Sequence, residues 1–421
     1  MTINKGKVIP LTAFKASIKR CTITPPVGVF QGGYGFRTRH SIGIHDELQA
    51  RCAAFSDGTT HAALVVLDLV SVHKDIVAKI KDLACKAVPV PRENVIIAAM
   101  HTHSGPGPGR TLKGFARSYD LYLEILPYHV AGLVFWAFNE LEEASIAACK
   151  GTSYIGHHRR AWDTSSDYVD RELVVAKLSG DHGGQATGIL YNIGCHAVKM
   201  NPDNIYLSAD YPGFTANALE RILGPGATPM FLQAPCGNIN PWNQPFDNPP
   251  STFDDCRQVG EMLAGDVLSA LGKVEKPVSG LQVRAGEADL AIPMEENLAG
   301  STSPDDFIHT RVQAIVLGDY LSIIGVPGEL FSKFGRMIKD AVKTRYCMVQ
   351  ELVNNDLVKD DEIAYVPTRE AHAARDAEHP NGGYEVAVGL PNPNAGYMIA
   401  EAAAKLANGL LEGRGTKKGG T

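Results

Sequence analysis

The chain has 421 residues and a formal net charge of −6, with 44% hydrophobic and 20% charged residues. This is the composition of a globular protein with a large core, in one or two domains, and it excludes a basic surface for nucleic acid. We find no stretch of about 18 apolar residues that would span a bilayer and no signal-peptide core, so we expect a cytoplasmic protein with a small-molecule substrate. The eight cysteines are scattered without a Cys-x-x-Cys pair, which predicts reduced thiols; the sequence leaves self-association open.

The apolar pattern of the first half predicts alternating strands and helices. A strand over 62–70, a helix over 73–88 and a buried strand over 95–100 follow one another, which is the βαβ order of an α/β protein with parallel pairing. The remaining predicted elements of this half are a long helix at about 119–143 that Pro127 would kink or split, strands at 185–192 and 230–233, and helices at 212–223 and 254–271.

The second half is predicted to be richer in strands. A Pro/Gly-containing boundary at 277–280 precedes strands at 281–284, 288–292, 311–317 and 321–325, and then a helix at 329–343. We therefore expect an α/β fold with a mixed, largely parallel sheet flanked by helices and extra β-rich segments in the C-terminal half. We expect one catalytic domain over 1–412, divisible into lobes 1–276 and 277–412, and a flexible polar tail at 413–421.

His101 and His103 directly follow the predicted strand at 95–100. If the strand continues through them, both imidazoles point to one face, where they can hold a metal or divide metal binding and proton transfer between them. One would then be a ligand and the other a base. Two surface histidines at a strand end are the alternative interpretation of the same spacing.

His196 ends a second apolar run, and two strands that each end in histidine can converge at one sheet edge. A satisfied core histidine is the alternative. Glu329 follows a strand and a Pro-Gly turn, where a carboxylate either complements a helix dipole or completes a His/His/Glu set suited to zinc with an open position for water.

Two further segments carry polar groups that suit a substrate site. Asn238 and Asn240 follow the strand at 230–233 and would present amides and backbone N–H groups to a carbonyl, unless they only form a turn. The basic segment at 157–160, which contains Arg159, would bind a carboxylate, with a solvated face as the alternative.

Taken in order, the motifs of the chain resemble the catalytic domain of the neutral/alkaline ceramidases. They are Thr24-Pro25-Pro26, Gly43-Ile44-His45, His101-Thr102-His103-Ser104-Gly105-Pro106, an Arg-Arg pair, Gly194-Cys195-His196-Ala197, Ser208-Ala209-Asp210-Tyr211-Pro212-Gly213, Gly237-Asn238-Ile239-Asn240-Pro241, Pro327-Gly328-Glu329 and Ala364-Tyr365-Val366-Pro367-Thr368. Ceramidases of this family are zinc amidases that cut the N-acyl bond of ceramide. The resemblance covers nearly the whole chain.

The resemblance implies roles for individual residues. It implies a Zn²⁺ ion bound by His101, His196, Glu329 and Tyr365. It also implies that His103 and Arg159 lie beside the metal and that Tyr384 points at the reacting carbonyl. In this assignment His101 is the ligand of the histidine pair and His103 carries the proton.

The chain departs from the family at Asn238 and Asn240, where ceramidases have an acidic residue and then a serine. An amide cannot act as the hydroxyl partner, so Asn240 is expected to stabilise an oxyanion instead. We also expect neither a secretion signal nor the extra C-terminal β-domain of the ceramidases. We therefore expect a divergent zinc-dependent hydrolase that cleaves an amide or lactam of a small soluble substrate. The alternatives are an esterase or lactonase, a hydrolase of a sugar-derived substrate, and a non-catalytic binding protein that retains the metal.

Overall fold

The structure is a computed structural model that describes residues 13–35, 37–111, 116–159, 168–180, 184–242, 251–294, 307–353, 364–374, 383–389 and 392–413. All but the first residue of the predicted tail at 413–421 lies outside the described residues. The single-domain assignment and its two lobes stay predictions.

An eight-stranded sheet forms the centre of the molecule. Its strands are β1 (Lys15–Thr22), β2 (Gln49–Ser56), β3 (His61–Leu67), β4 (Val95–Ala99), β5 (Glu142–Thr152), β6 (Glu172–Gly180), β7 (Ala186–Ile193) and β8 (Thr228–Gln233). They lie in the order β8-β7-β6-β5-β1-β2-β3-β4. The edge strand β8 pairs with β7, and the edge strand β4 pairs with β3, so each edge strand ends a separate βαβ unit.

The strand pairing confirms the predicted mixed sheet but not its predicted proportions. Only the outermost pairs of this sheet, β3–β4 and β7–β8, are parallel, whereas the pairs between them are antiparallel. The expectation of largely parallel pairing is wrong because it rested on the β3, α-helix, β4 segment and did not include β1, β5 and β6. Each of those three strands pairs antiparallel with its neighbours.

A second sheet in the C-terminal half confirms the predicted β-rich segments. It has four strands, in the order β9 (Val283–Pro293), β10 (Phe307–Leu317), β11 (Leu321–Gly325) and β12 (Tyr346–Gln350). The two short strands predicted at 281–284 and 288–292 form the single strand β9. β11 and β12 pair in parallel.

Helices cover the sheets. They are α1 (Lys74–Ala87), α2 (Ala116–Asn139), α3 (Asp210–Leu223), α4 (Phe253–Leu271), α5 (Ser332–Ala341), α6 (Arg369–Ala373), α7 (Tyr384–Val388) and α8 (Ala395–Leu411). Pro127 lies inside α2 without splitting it, because α2 packs along α1, β1 and β2 and this contact holds the helix together. One cluster of buried apolar side chains packs around the main sheet, and another lies between the second sheet, α5 and α8.

The helix α2 contradicts the expectation that no apolar stretch is long enough for a membrane span. By length and composition, residues 119–139 of α2 could cross a membrane, and only 39% of their most apolar stretch is buried. Tyr128, Phe135 and Trp136 are exposed on it. Core helices of soluble proteins pass the same test, so length and composition are weak evidence of a span. The cytoplasmic location stays a prediction.

The main sheet curls until its two edges approach one segment of chain, residues 350–353, which begins at the last residue of β12. On one side, the Ala99 N–H at the end of β4 donates to the Leu352 carbonyl at 3.2 Å. On the other side, the Glu351 N–H donates to the Gln233 carbonyl at the end of β8, at 2.9 Å. The loops that follow β4 and β7 consequently face each other, and the candidate site lies between them.

Candidate metal centre

The two histidines after β4 meet in a tight turn. The strand ends at Ala99, and His101 has a φ of 73°, in the left-handed region that residues with a side chain rarely adopt. The Nε2 atoms of His101 and His103 lie 3.3 Å apart. The pair therefore converges because the backbone turns at His101, not because a strand continues through both residues. Such backbone strain is characteristic of functional sites.

A glycine-rich loop holds the imidazole of His103. A Cβ atom at Gly33, whose φ is +90°, would lie 2.2 Å from Cγ of His103. The ring of Tyr34 packs edge-on against the same imidazole with centroids 4.8 Å apart, and Arg37 Nη1 donates to the His103 carbonyl at 2.8 Å. The sequence shows this loop as Gly32-Gly33-Tyr34-Gly35, but nothing in that motif indicates which side chain it accommodates.

His196, after β7, reaches the same place from the other side of the curled sheet. Its Nδ1 donates to the Cys236 carbonyl at 2.9 Å, and its Nε2 lies 3.0 Å from Oε2 of Glu329. The His101 and His196 rings are 4.9 Å apart, centroid to centroid. His196 is fully buried, as a core histidine would be, but its Nε2 faces polar groups. The predicted convergence is observed, although β4 and β7 belong to opposite ends of the sheet order.

Glu329 and Tyr365 come together through two strands of two residues each. Glu329–Leu330 pairs in parallel with Tyr365–Val366, in a register that sets Glu329 opposite Tyr365. Oε2 of Glu329 lies 3.2 Å from His101 Nε2, and the Tyr365 hydroxyl lies 3.5 Å from His196 Nε2. The helix predicted from 329 is wrong at its start: α5 begins at Ser332, because the Glu329 N–H donates to the Ala364 carbonyl in this pairing.

The protonation states of these groups suit metal binding. Burial, with His101 as the next contributor, lowers the pKa of His103 well below its usual range, and burial together with Arg159 lowers the pKa of His196 to about 4. Burial alone would raise the pKa of Glu329, but the charge of His101 and hydrogen bonds from both histidines bring it well below its usual range. Imidazoles bind metals in the neutral form and carboxylates in the ionised form, and these shifts favour those forms at His103, His196 and Glu329.

The donor atoms fit a zinc ion. Ligand atoms of His101, His103 and His196 lie within 4.8 Å of one another in the part of the chain that the structure describes. Imidazole and carboxylate donors are those that zinc takes in catalytic sites. His101 Nδ1 donates to the Val70 carbonyl at 2.8 Å, as His196 Nδ1 does to Cys236, and such outer bonds orient a ligating imidazole and leave Nε2 for the metal. The set His101, His196, Glu329 and Tyr365 stays a prediction.

Arg159 lies beside this centre and not on a solvated face. Its Nη2 is 2.6 Å from Oε1 of Glu385, and its guanidinium carbon is 5.1 Å from the centroid of the Tyr365 ring. Burial alone would lower the pKa of Arg159, but Tyr365 and Glu385 raise it, so the guanidinium stays charged. The sequence does not reveal Glu385, whose only signal is its position next to Tyr384.

Asn238 and Asn240 are buried, which excludes an exposed turn as their setting. Asn238 Oδ1 accepts from the Ser332 N–H at 2.9 Å, at the start of α5. Asn240 lies in the short strand Ile239–Pro241, which pairs with Gly156–His158, and its Oδ1 is 3.5 Å from Arg159 Nη1. The pairing brings the Asn240 amide beside Arg159.

Tyr384 lies at the rim. It is the first residue of α7, 56% exposed, and its ring centroid is 5.6 Å from that of Tyr365. Residues 375–382, directly before it, lie outside the described part of the chain. The structure thus brings together all the predicted site residues, whereas their catalytic roles stay predictions.

The fold and the site define a mixed α/β protein with a buried candidate metal centre made of histidines and a carboxylate. No protein-family model matches the chain. The neutral ceramidase of Mycobacterium tuberculosis is 24% identical over 316 residues, which are 65% of this chain and 47% of that protein. That of Pseudomonas aeruginosa is 24% identical over 290 residues, 59% of this chain and 40% of that protein.

Solved structures agree with the sequence comparison. The crystal structure of the neutral ceramidase from Pseudomonas aeruginosa superposes with a TM-score of 0.79 at 18% identity and covers 97% of this chain and 76% of its own. A ceramidase complexed with C2 gives a TM-score of 0.77 at 18% identity, over 97% and 77%. The chain is thus similar in sequence to neutral ceramidases and shares the fold of these solved structures. It spans about half the length, or less, of the curated relatives it matches.

Proposed function

We propose that the chain is a zinc-dependent hydrolase that cleaves the C–N bond of an amide or lactam in a small soluble substrate. The observation that carries the proposal is the convergence of His101 Nε2, His196 Nε2 and Glu329 Oε2, each within 3.2 Å of another member of the set. Without a cation, a carboxylate oxygen and two imidazole nitrogens would share one buried space. The similarity to neutral ceramidases, which are hydrolases of amide bonds, supports the same reaction class.

The ion would be held by His101, His196, Glu329 and Tyr365. When bound, zinc lowers the pKa of water toward about 7 and polarises a carbonyl. His103 is neutral at pH 7, because burial lowers its pKa, and its Nε2 lies 3.3 Å from a ligand nitrogen. It is therefore placed to accept a proton from water and to return it to the leaving nitrogen.

The oxyanion that forms in amide hydrolysis needs donors fixed in advance. Arg159 is charged and is held by Glu385, so its guanidinium supplies one such donor without reorganisation. The Asn240 amide and the Tyr384 hydroxyl are the other donors in our assignment. Each preorganised donor of this kind contributes a few kcal/mol, roughly 3, to the stability of the transition state.

The substrate class follows from the departure at Asn240 and from the polar lining of the site. The named relatives are ceramidases, but a mechanism that uses a serine at the position of Asn240 is unavailable to this chain. The Arg159 guanidinium lies 5.1 Å from the centroid of the Tyr365 ring and contacts Glu385 and Asn240, and these polar groups favour a polar substrate. We therefore propose a small soluble amide or lactam and not ceramide itself.

Replacing His196 with alanine tests the proposal. We expect the purified wild-type protein to contain about one metal ion per chain and to release an amine from at least one member of an amide and lactam panel, whereas His196→Ala loses both properties. His309→Ala, at an exposed histidine on β10, is the matched control and should keep both. Release of an alcohol from esters alone would indicate an esterase or lactonase. A metal-bound protein without turnover would indicate a binding protein, and full activity without metal would exclude the proposal.

A further inference from the structure

Residues 350–353, between the two edges of the main sheet, also contact the chain beside two of the candidate ligands, His101 and Glu329. The Gln350 amide donates to the Ala99 carbonyl at 3.3 Å, two residues before His101. The Leu352 N–H donates to the Gly328 carbonyl at 3.2 Å, one residue before Glu329. Leu352 has a φ of 55°, so the segment makes these contacts with a strained backbone.

The carboxyl group of Glu351 makes the most direct of these connections. It is fully buried. Its Oε1 accepts from the Cys236 N–H at 3.2 Å and from the Cys236 thiol at 3.0 Å, and its Oε2 accepts from the Leu330 N–H at 3.0 Å. The same two chain segments also bond each other, because the Gly237 N–H donates to the Leu330 carbonyl at 2.8 Å.

The backbones of Cys236 and Leu330 each adjoin a candidate ligand. The Cys236 carbonyl accepts the hydrogen bond from Nδ1 that orients His196, and Leu330 follows Glu329 in the chain. The two segments are in close contact, since a Cβ atom at Gly237 would lie 2.5 Å from the Glu329 carbonyl oxygen. A shift of either segment therefore moves a ligand.

We infer that Glu351 is a positioning residue of the metal centre: its carboxyl group fixes the Cys236 and Leu330 backbones and through them orients His196 and Glu329. The inference rests on the metal site of the proposed function. Glu351 does not touch the substrate or the ion in this account. It acts on the positions of the His196 and Glu329 side chains.

The substitution Glu351→Gln tests the inference at nearly constant size. Each carboxyl oxygen accepts a backbone N–H, so the amide nitrogen of glutamine faces a donor in either orientation and one contact is lost. The probe is Co²⁺ alone, added to the metal-free full chain in competition with a chelator. We expect Co²⁺ affinity to fall by roughly 10- to 100-fold and the visible absorption of the Co²⁺ complex to change, as for other residues that orient ligands.

Asp57→Asn is the matched control. Asp57 is also a buried carboxylate that accepts backbone N–H groups, from Thr59, Thr60 and Val283, but it lies at the other end of β2 and β3 from the candidate site. We expect it to lower the unfolding free energy while leaving Co²⁺ affinity and absorption unchanged. If Glu351→Gln does not fold, Glu351→Asp keeps the carboxyl group, draws it back by one methylene, and should give the same two changes.

The outcomes separate this inference from the proposed function. Wild-type Co²⁺ affinity and absorption in folded Glu351 variants would overturn the inference and leave the metal site in place. Equal losses in Asp57→Asn would also overturn it, because general destabilisation would then be the cause. A wild-type chain that binds neither Co²⁺ nor Zn²⁺ would overturn both.

Discussion

The imidazole of His103 occupies the space that a side chain at position 33 would fill, so its place depends on the glycine there. Strand-end position in the sequence indicated His101, His103 and His196 as candidate site residues beside simpler alternatives, because apolar runs that stop at a histidine are visible without a structure. The contact between Gly33 and His103 was not predictable, because it joins residues 70 positions apart whose approach depends on the folded turn at 101–105. Glu385 and Glu351 were missed for the same reason.

We predict that Gly33→Ala lowers the rate of hydrolysis by about 10²- to 10⁴-fold, the usual contribution of a general acid or base. The added methyl group would displace the His103 imidazole, whereas His101 and His196 would still bind the ion. The measurement is the turnover rate on a substrate that the wild type cleaves, together with metal content.

Gly58→Ala is the control for backbone strain. Gly58 has a φ of +84°, close to that of Gly33, but a Cβ atom there would meet no atom within 4 Å. It should lower the unfolding free energy by about 1 kcal/mol, the cost of a left-handed residue, and keep full activity. Equal activity in the two variants would contradict a catalytic role for His103.

At the scale of elements, the candidate ligands Glu329 and Tyr365 lie in the shortest strands, and the sequence did not predict those strands. The helices α1, α3 and α4 and the strands β3, β4, β7, β8 and β11 were predicted within a few residues, since their apolar patterns are clear in the sequence. The strands β1, β2, β5, β6 and β12 were not predicted. The two-residue strands holding Glu329 and Tyr365 have no period to detect, and a helix was predicted in place of the first. Only the family resemblance associated these two residues with each other.

The start of α3 fixes the loop that carries His196. Buried Asp210 accepts from the N–H groups of Lys199, Met200 and Tyr211 at 2.7 to 3.0 Å, and the Tyr211 hydroxyl donates to the Cys195 carbonyl at 2.6 Å. Burial raises the pKa of Asp210 to about 6 despite these bonds. The carboxyl group therefore favours the folded state most when it is protonated.

We predict a pH dependence of stability with a sign that follows from this raised pKa. The contribution of Asp210 is fully present below its unfolded pKa of about 3.9 and is lost as the pH rises through about 6. Between pH 5 and pH 7 the wild type should lose on the order of 1 kcal/mol of unfolding free energy that Asp210→Asn does not lose. Urea unfolding of both proteins at both pH values measures the difference. The same change in both would contradict the assignment.

At the scale of the whole molecule, the site exists because the main sheet curls and a segment of the second half closes the gap. The order of strands depends on pairings between distant segments, so sequence patterns gave the mixed α/β class but not the central antiparallel strands or the role of residues 350–353. His101, His196 and Glu329 come from three such distant segments. In the unfolded chain these ligands have no reason to be near one another.

A metal ion should therefore bind the folded state in preference to the unfolded chain. We predict that Zn²⁺ at about 100 times its dissociation constant raises the free energy of unfolding by about 2.7 kcal/mol, and less if the unfolded histidines and cysteines bind some metal. His196→Ala should abolish the increase. Denaturant unfolding with and without Zn²⁺ measures it, and an equal increase in the variant would place the ion elsewhere.

The central claim is that one metal ion lies between the histidines and the glutamate. Anomalous diffraction from crystals loaded with Zn²⁺, measured above and below the zinc absorption edge, tests it most directly. We predict a single strong peak at roughly 2.0 to 2.2 Å from His101 Nε2, His196 Nε2 and Glu329 Oε2, with the Tyr365 hydroxyl as the further ligand. A peak at other residues, or no peak in crystals that hydrolyse substrate when dissolved, would contradict it.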